Sequence, residues 1–226
     1  MRGEAPAAQA VASIEGYLAE LEAARPTKAL AASLSPKGAK TLVAILAAAH
    51  RVFIRDGHAG LSLRKVASEA GVALGNVNYY FGSKRVLVEA TLREALADYV
   101  EAHIAEFEKD RESPLEMLLN VISFYVVNGR TTHPLFFQMW GYAASDGDAK
   151  ALIRSMYRPI GRFLFLLVSA ARPDASEDRV REIVLQLSSL EEGLKLFIGM
   201  GPDDDRALKS AEQHARRLAR LVILAD

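Results

Sequence analysis

Apolar residues recur at intervals of three and four along almost all of this 226-residue chain. That spacing places them on one face of an α-helix, whereas a half-buried β-strand needs strict alternation of apolar and polar residues. Alternation of that kind is nearly absent, and the apolar pattern breaks at proline or glycine. The pattern therefore predicts an all-α protein.

Two short helices joined by a tight turn are predicted between residues 61 and 84. Ser62 is suited to cap the first helix, because its hydroxyl can accept a hydrogen bond from a backbone N–H of the first turn. Apolar residues then recur at helical spacing over about Leu63 to Ala70. Gly71 follows, and glycine reaches left-handed backbone angles without a Cβ clash. This order of residues is typical of a helix-turn-helix.

The second helix of this pair is predicted to run from about Leu74 to Tyr80. Its spacing buries Val77 together with either Tyr80 or Phe81. The other side chains are short or flat, and several of them can hydrogen-bond to the edges of DNA bases. The residues predicted to face outward are Leu74, Gly75, Asn76, Asn78 and Tyr79. The two helices are therefore interpreted as a DNA-reading motif.

The segment GHAGLSLRKVASEAGVALGNVNYYFGSKRVL, preceded by AAAHRVFIRD, resembles the DNA-binding domain of the tetracycline-repressor (TetR/AcrR) family of transcriptional regulators. The resemblance covers Lys37 to about Val100. It implies a first helix from Pro36 to Asp56, then the helix-turn-helix, then a linking helix that begins at Ser83. The alternative is a helical hairpin used only for packing, and a DNA-binding measurement separates the two.

DNA contacts are expected from both predicted helices and from the start of the linking helix. Lys84 is the best candidate for a phosphate contact, because the backbone N–H groups at the start of a helix favour an anion. The full set of expected DNA-binding residues is Ser62, Arg64, Leu74, Gly75, Asn76, Asn78, Tyr79, Tyr80 and Lys84.

Two residues depart from the family pattern in the second helix. Ala73 stands where a serine or threonine usually caps this helix, a loss of about 1 kcal/mol of local helix stability. Asn78 replaces a tyrosine, and asparagine can pair with adenine through N6 and N7. A changed operator preference is one interpretation of Asn78, and contact with phosphate or water alone is the other.

The charge of the chain is unevenly distributed. Residues 37–88 contain eight basic and two acidic side chains, a net charge of +6, whereas the whole chain has 28 of each sign. The remaining residues therefore sum to −6. This polarity favours phosphate at one end of the molecule and disfavours it at the other, although a solvated surface of mixed charge is also consistent with the composition.

Three segments are predicted: an extension over residues 1–36, a DNA-binding domain with its linking helix over 37–109, and an effector-binding and dimerisation domain over 110–226. The charged stretch EFEKDRESP ends the second segment, and Pro114 opens the next helix. In the extension, a short amphipathic helix is predicted to end at Arg25-Pro26, with its apolar face formed by Val11, Ile14, Leu18 and Leu21. It either docks on the protein or forms a disordered leader.

The last two predicted helices, about Glu177 to Ile198 and Asp203 to Leu224, both carry broad apolar stripes. Such stripes suit a four-helix interface between two copies of the chain, and an intramolecular core is the alternative. The family resemblance implies a homodimer through these helices. The expected interface residues are Leu187, Leu190, Leu194, Ala211, Leu218 and Val222.

Nine of the seventeen aromatic residues lie between Phe124 and Phe165. That density suits an apolar cavity with a few polar groups, the usual form of a small-molecule site, although an aromatic core explains many of these rings. The effector is expected to be apolar or aromatic. The candidate contacts are Phe124, His133, Phe137, Gln138, Trp140, Met156, Tyr157 and Glu191.

Catalytic chemistry finds little support in the sequence. The five histidines lack metal-ligand spacing, and neither a phosphate-binding glycine loop nor a nucleophile elbow is present. No catalytic residue, cofactor or metal is therefore expected. The chain has no cysteine, and its apolar runs are shorter than the roughly 20 residues that span a bilayer, so a cytoplasmic protein is expected.

Together these patterns predict a ligand-responsive transcriptional regulator. It is expected to bind a palindromic operator as a dimer, to act as a repressor, and to be released by a small-molecule effector. The alternative is a helical small-molecule-binding protein or an enzyme without a role on DNA.

Overall fold

A computed structural model describes residues 25–107, 113–145, 147–202 and 206–225, with seven isolated positions before residue 25. Every regular element in these residues is an α-helix, which confirms the predicted fold class. The helices are α1 (Pro26–Ala31), α2 (Pro36–Gly60), α3 (Leu63–Ala70), α4 (Leu74–Phe81), α5 (Lys84–Phe107), α6 (Pro114–Ser145), α7 (Gly147–Ala171), α8 (Glu177–Met200), α9 (Arg206–Lys209) and α10 (Ala211–Leu224).

The first long helix, α2, begins and ends at residues that explain its length. Ser35 caps it by accepting a hydrogen bond from the Gly38 N–H at 3.2 Å, and Pro36 occupies its first position, where no intrahelical N–H bond is needed. At the other end, Gly57 adopts φ 66° and ψ −179° and interrupts the helix. The regular part of α2 therefore stops at Asp56, as predicted.

The predicted extension helix stays a prediction, whereas the last predicted helix of the chain differs from the one observed. The apolar residues of the extension helix (Val11, Ile14, Leu18 and Leu21) lie outside the described residues. A separate short helix, α1, begins at Pro26. The predicted helix from Asp203 to Leu224 is interrupted at Ser210, which has φ −103° and ψ 7°. Serine hydroxyls compete for hydrogen bonds inside helices, and Ser210 Oγ lies 3.3 Å from His214 Nδ1.

The chain forms two compact units, each with its own apolar core. The HTH unit consists of Leu18–Val100 and Leu135–Met156, and the C-terminal unit consists of Met1–Tyr17, Glu101–Pro134 and Tyr157–Asp226. Buried residues of the HTH unit include Leu42, Ile45, Phe53, Val66, Val77 and Leu87, and those of the C-terminal unit include Leu118, Ile122, Leu164, Ile183 and Leu187. Helices α5, α6 and α7 each contribute residues to both units.

These units do not coincide with the segments predicted from the sequence, since residues 135–156 group with the helix-turn-helix. The functional boundaries at residues 36 and 109 stay a prediction. No helix within the described ranges is both long enough and apolar enough to cross a bilayer.

Candidate nucleic-acid interface

The turn between α3 and α4 is closed by backbone hydrogen bonds. Ser62 Oγ accepts from the Lys65 N–H at 3.2 Å and so caps α3, as its position predicts. At the other end, Gly71 is left-handed at φ 67° and its N–H donates to Ser68 O, while the Val72 N–H donates to Ala67 O. This pair of bonds is a Schellman motif, which fixes the direction in which the chain leaves the helix.

Helix α4 has one buried face and one exposed face. Val77 is fully buried and Phe81 is 4% exposed, so Phe81 rather than Tyr80 fills the second core position. Tyr79 is 76% exposed, and Asn76 and Asn78 are exposed on the same helix. Large rings and amides on an exposed helix face supply hydrogen-bonding groups and flat surface that suit base edges. The rest of the predicted outward set comprises Gly75, which is exposed, and Leu74, which is half-buried.

Tyr80 links the predicted recognition helix to the start of α2. Its hydroxyl donates a hydrogen bond to Gly38 O at 3.0 Å, and a Cβ atom at Gly38 would lie only 3.3 Å from that hydroxyl oxygen. The small size of Gly38 therefore permits this contact. Tyr80 is one of the residues expected to bind DNA. Its hydrogen bond to Gly38 O places it to orient α4 against α2.

The start of α5 follows α4 directly. Gly82 is left-handed at φ 64°, and Ser83 Oγ accepts from the Val86 N–H at 3.3 Å, so Ser83 caps α5. Lys84 is the first residue of this helix and is half-buried, and the burial lowers the pKa of its ammonium group. Its position in the first turn of a helix suits an anion.

Hydrogen-bonded ion pairs inside the HTH unit engage three of the eight basic residues between 37 and 88. Glu69 accepts from Arg51 Nε at 2.9 Å and from Arg55 Nη1 at 3.1 Å. Asp56 accepts from Arg55 Nε at 3.0 Å and from Lys65 Nζ at 3.2 Å. These hydrogen bonds hold the pKa of both carboxyl groups below the usual range.

The other basic side chains of this region have different surroundings. Arg85 lies at the long distance of 3.9 Å from Asp148, and both side chains are largely exposed. Lys37, Lys40 and Arg64 are exposed as well, and they surround the capped ends of α2 and α3. The basic side chains best placed to contact phosphate are therefore fewer than the eight basic residues between positions 37 and 88.

One set of contacts was not anticipated from the sequence. Thr27 of α1 donates to the Glu94 carboxylate of α5 through both its backbone N–H, at 3.0 Å, and its hydroxyl, at 2.7 Å. Arg25 forms ion pairs with Glu94 and with Asp98. We call these four residues the N-terminal clasp. The two residues of each contact are about 70 positions apart in the sequence. No local pattern in the sequence indicates such a pairing.

A family profile described as "Bacterial regulatory proteins, tetR family" matches residues 45–91, which include α3 and α4. The HTH-type transcriptional regulator BetI of Burkholderia cenocepacia (strain HI2424) is 30% identical over 164 residues. That alignment covers 70% of this chain and 83% of the relative. The chain belongs to the TetR family of bacterial transcriptional regulators.

Solved structures share the fold of this chain. The transcriptional regulator FadR of Bacillus subtilis, crystallised with stearoyl-CoA, is 16% identical with a TM-score of 0.64, covering 81% of this chain and 98% of that chain. The multidrug binding protein EbrR, crystallised with malachite green, is 24% identical with a TM-score of 0.60, covering 80% and 96%. BetI and FadR are named as transcriptional regulators and EbrR as a multidrug binding protein, and none of these names describes an enzyme.

The eight residues expected to contact an effector of this regulator are divided between its two compact units. Phe124, His133, Tyr157 and Glu191 belong to the C-terminal unit, and Phe137, Gln138, Trp140 and Met156 belong to the HTH unit. Within the HTH unit, the ring of Trp140 packs at 5.7 Å from Phe137 and 6.2 Å from Phe136. Phe124 and Met156 are buried.

Charged side chains are buried in the C-terminal unit on α8. Glu191 is 3% exposed and Lys195 is 1% exposed. Lys195 Nζ donates to Glu192 Oε2 at 3.1 Å and lies 5.0 Å from the ring centre of Tyr125. Burial raises the pKa of the Glu191 carboxyl well above its usual range, although Lys195 opposes the rise. Within the described part of the chain, Glu191 Oε1 is buried and forms no hydrogen bond.

The residues expected at the dimer interface also fall into two groups. Leu187 and Ala211 are buried in the core of the single chain, Leu190, Leu194 and Val222 are half-buried, and Leu218 is exposed. Helices α8 and α10 pack against each other and leave other large apolar side chains exposed. We call these the exposed apolar face: Leu185, Phe197, Met200, Leu218, Leu221 and Leu224.

Proposed function

We propose that this TetR-family regulator is a homodimeric repressor that binds a palindromic operator and is released by a small-molecule effector. The observation that carries the DNA-binding part is the exposed face of α4, where Asn76, Asn78 and Tyr79 stand on a helix whose other face is buried. Exposed asparagines on a helix of this kind suit base edges in the major groove, and the surrounding cations suit phosphate.

Binding selection with fragments of the source genome tests this function. The expected result is enrichment of fragments that contain an inverted repeat, with the two half-sites separated by about one helical turn or a multiple of it. Transcription from the adjacent promoter should rise when the regulator is deleted. Enrichment of single, unrepeated sites contradicts the palindrome, and a fall in transcription contradicts repression.

The exposed apolar face supports the dimer. Phe197 is 68% exposed, and Leu218, Leu221 and Leu224 are exposed on α10, which packs against α8. Large contiguous apolar surface on a monomer marks a protein or ligand contact. A second copy of the chain is a suitable partner, because a two-fold interface pairs the same helices of both subunits.

The packed rings of Phe137 and Trp140 in the HTH unit support an effector of apolar or aromatic character. FadR and EbrR hold ligands with large apolar parts in their structures, which agrees with a site of this type. In the C-terminal unit, a buried carboxyl oxygen without a hydrogen-bond partner costs free energy, and a ligand that donates a hydrogen bond to Glu191 Oε1 would remove that cost.

Trp140 provides a reporter for effector binding, since it is the only tryptophan of the chain. Apolar and aromatic compounds should be screened for a change in its fluorescence, and each active compound tested for release of the selected operator. The Trp140→Leu variant should bind ligand-free operator normally and lose effector affinity. Loss of ligand-free operator binding together with a lower melting temperature would instead assign Trp140 to the core.

A further inference from the structure

The end of α2 contacts the middle of α6 within the HTH unit. Gln138 Nε2 donates a hydrogen bond to Ile54 O at 3.3 Å, at the last regular turn of α2. Side chains from two successive turns of α6 contact the end of α2, because Tyr142 lies one turn after Gln138. The ring of Tyr142 stacks on His58 at 4.0 Å with an interplanar angle of 22°.

The conformation of α2 at this point requires glycine. Gly57 has φ 66°, and a Cβ atom there would lie 2.6 Å from Gln138 Oε1. Side chains rarely adopt such a φ, and a contact of 2.6 Å is shorter than a real Cβ atom tolerates. The positive φ favours glycine at residue 57, and the absence of a side chain there lets the Gln138 amide approach the end of α2.

The same contact continues into the core. Phe53, which is fully buried, meets Tyr142 edge to face at 6.5 Å. Phe53 lies one turn before Gly57, so Gln138 and Tyr142 hold α2 on both sides of its interruption. The end of α2 is thus fixed by a polar contact on its backbone and by aromatic contacts on its side chains.

Helix α2 in turn sets the position of the helix-turn-helix. It packs against α3, and its first turn accepts the Tyr80 hydroxyl of α4 at Gly38 O. A small rotation at the end of α2 would therefore move both helices of the motif. Operator binding depends on their placement to within about 1 Å, because base contacts have hydrogen-bond geometry.

We propose that Gln138 is a positioning residue for operator recognition, which holds the end of α2 so that α4 is correctly placed in the major groove. This inference rests on the proposed DNA-binding function. It assigns Gln138 a role in DNA recognition through contacts inside the protein, with no contact to DNA itself.

The first test uses Gln138→Met, which keeps the length of the side chain and removes the N–H donor. The probes are the operator duplex selected with the wild-type protein and a non-specific duplex of the same length. We expect operator affinity to fall roughly threefold to tenfold, the equivalent of one hydrogen bond, with affinity for the non-specific duplex unchanged. Gln186→Met, at an exposed position on α8, is the matched control and should bind both duplexes normally.

The second test uses the close approach of the Gln138 amide to Gly57. Gly57→Ala should weaken operator binding, because its methyl group displaces the Gln138 amide and the hydrogen bond to Ile54 O is lost. In a Gln138→Ala background that bond is already absent, so the two losses should be clearly less than additive. Purely additive losses would show that Gly57 acts through its backbone alone and would overturn the proposed contact.

The outcomes separate this inference from the proposed function. If the wild-type protein binds its selected operator and Gln138→Met binds it equally well, the positioning role is wrong and the DNA-binding function stands. If Gln138→Met loses affinity for both duplexes in equal measure, together with a lower melting temperature, Gln138 only stabilises the fold and the inference is also wrong. If the wild-type protein selects no sequence, both proposals fail.

Discussion

Two surfaces of this regulator expose side chains of opposite chemistry on helices of similar construction. Helix α4 buries Val77 and Phe81 and exposes amides and a tyrosine ring, whereas α8 buries Leu187 and exposes Phe197. In both, one face belongs to the core of the chain and the other is available to a partner. The difference lies in what the exposed face can bind: polar groups match base edges and phosphate, and large apolar groups match another apolar protein surface.

The comparison shows that burial within one chain must be known before an apolar residue is assigned to an interface. The largest expected effect tests this point. Leu187→Glu places a charge in the core of a single subunit, and it should destabilise the fold by more than about 3 kcal/mol. Circular dichroism during thermal unfolding measures the loss. A variant that melts like the wild type would show that Leu187 is not a core residue.

The second expected effect concerns the exposed apolar face. Leu218→Glu should leave each subunit folded and raise the dimer dissociation constant by about 100-fold or more, because it buries an unpaired charge only when subunits associate. Sedimentation velocity reports the change. Gln213→Glu adds the same charge at an exposed polar position of α10 and should remain dimeric. Normal dimers of Leu218→Glu would place the interface elsewhere.

The third effect belongs to the polar surface. Asn76→Ala should cost about 1–3 kcal/mol at a single base pair of the operator if Asn76 reads a base edge. Binding to a set of operators with one substitution each reveals the position. An equal loss for every operator would indicate that Asn76 positions the helix and reads no base.

A smaller effect is expected at the start of α5. Lys84→Ala should weaken binding to all DNA sequences and reduce the salt dependence by about one counterion, since it removes a phosphate contact. The measurement is the slope of log affinity against log salt concentration. An unchanged slope would exclude Lys84 as a phosphate contact.

The smallest effect concerns the missing cap of α4. Ala73→Ser introduces a hydroxyl at the N-cap, where the structure has no side-chain hydrogen bond. The substitution should stabilise the HTH unit by about 1 kcal/mol. Thermal unfolding measures the gain, and a lower melting temperature would show that the new hydroxyl has no N–H within reach.

The helix-turn-helix could be predicted from the sequence because its determinants are local. Ser62, Gly71 and Val77 act within a few residues of their own positions, and the structure confirms the cap, the turn and the buried face. The apolar stripes of α8 and α10 gave less information, since an apolar residue has the same spacing whether it faces the core or a partner. Leu187 and Leu218 became distinguishable only once their burial was known.

Contacts between distant residues lay beyond prediction for a different reason. Gln138 and Ile54 are 84 positions apart, and Thr27 and Glu94 are 67 positions apart. Neither pair has a local pattern, because a glutamine or a threonine on a helix surface finds its partner only after the helices have packed. An expected effector contact, Gln138, therefore proved to have a partner inside the HTH unit.

The N-terminal clasp has a consequence for how the DNA-binding part unfolds. Because Thr27 bonds to Glu94, the whole helix-turn-helix lies in a loop of chain whose two ends are fastened together without a covalent link. Opening the clasp removes the restraint on that loop. Local unfolding of α1 is therefore coupled to local unfolding of α5 around Glu94. A protease that cuts before Arg25 should spare the motif, and a cut inside the loop between Thr27 and Pro36 should expose the motif to rapid further digestion.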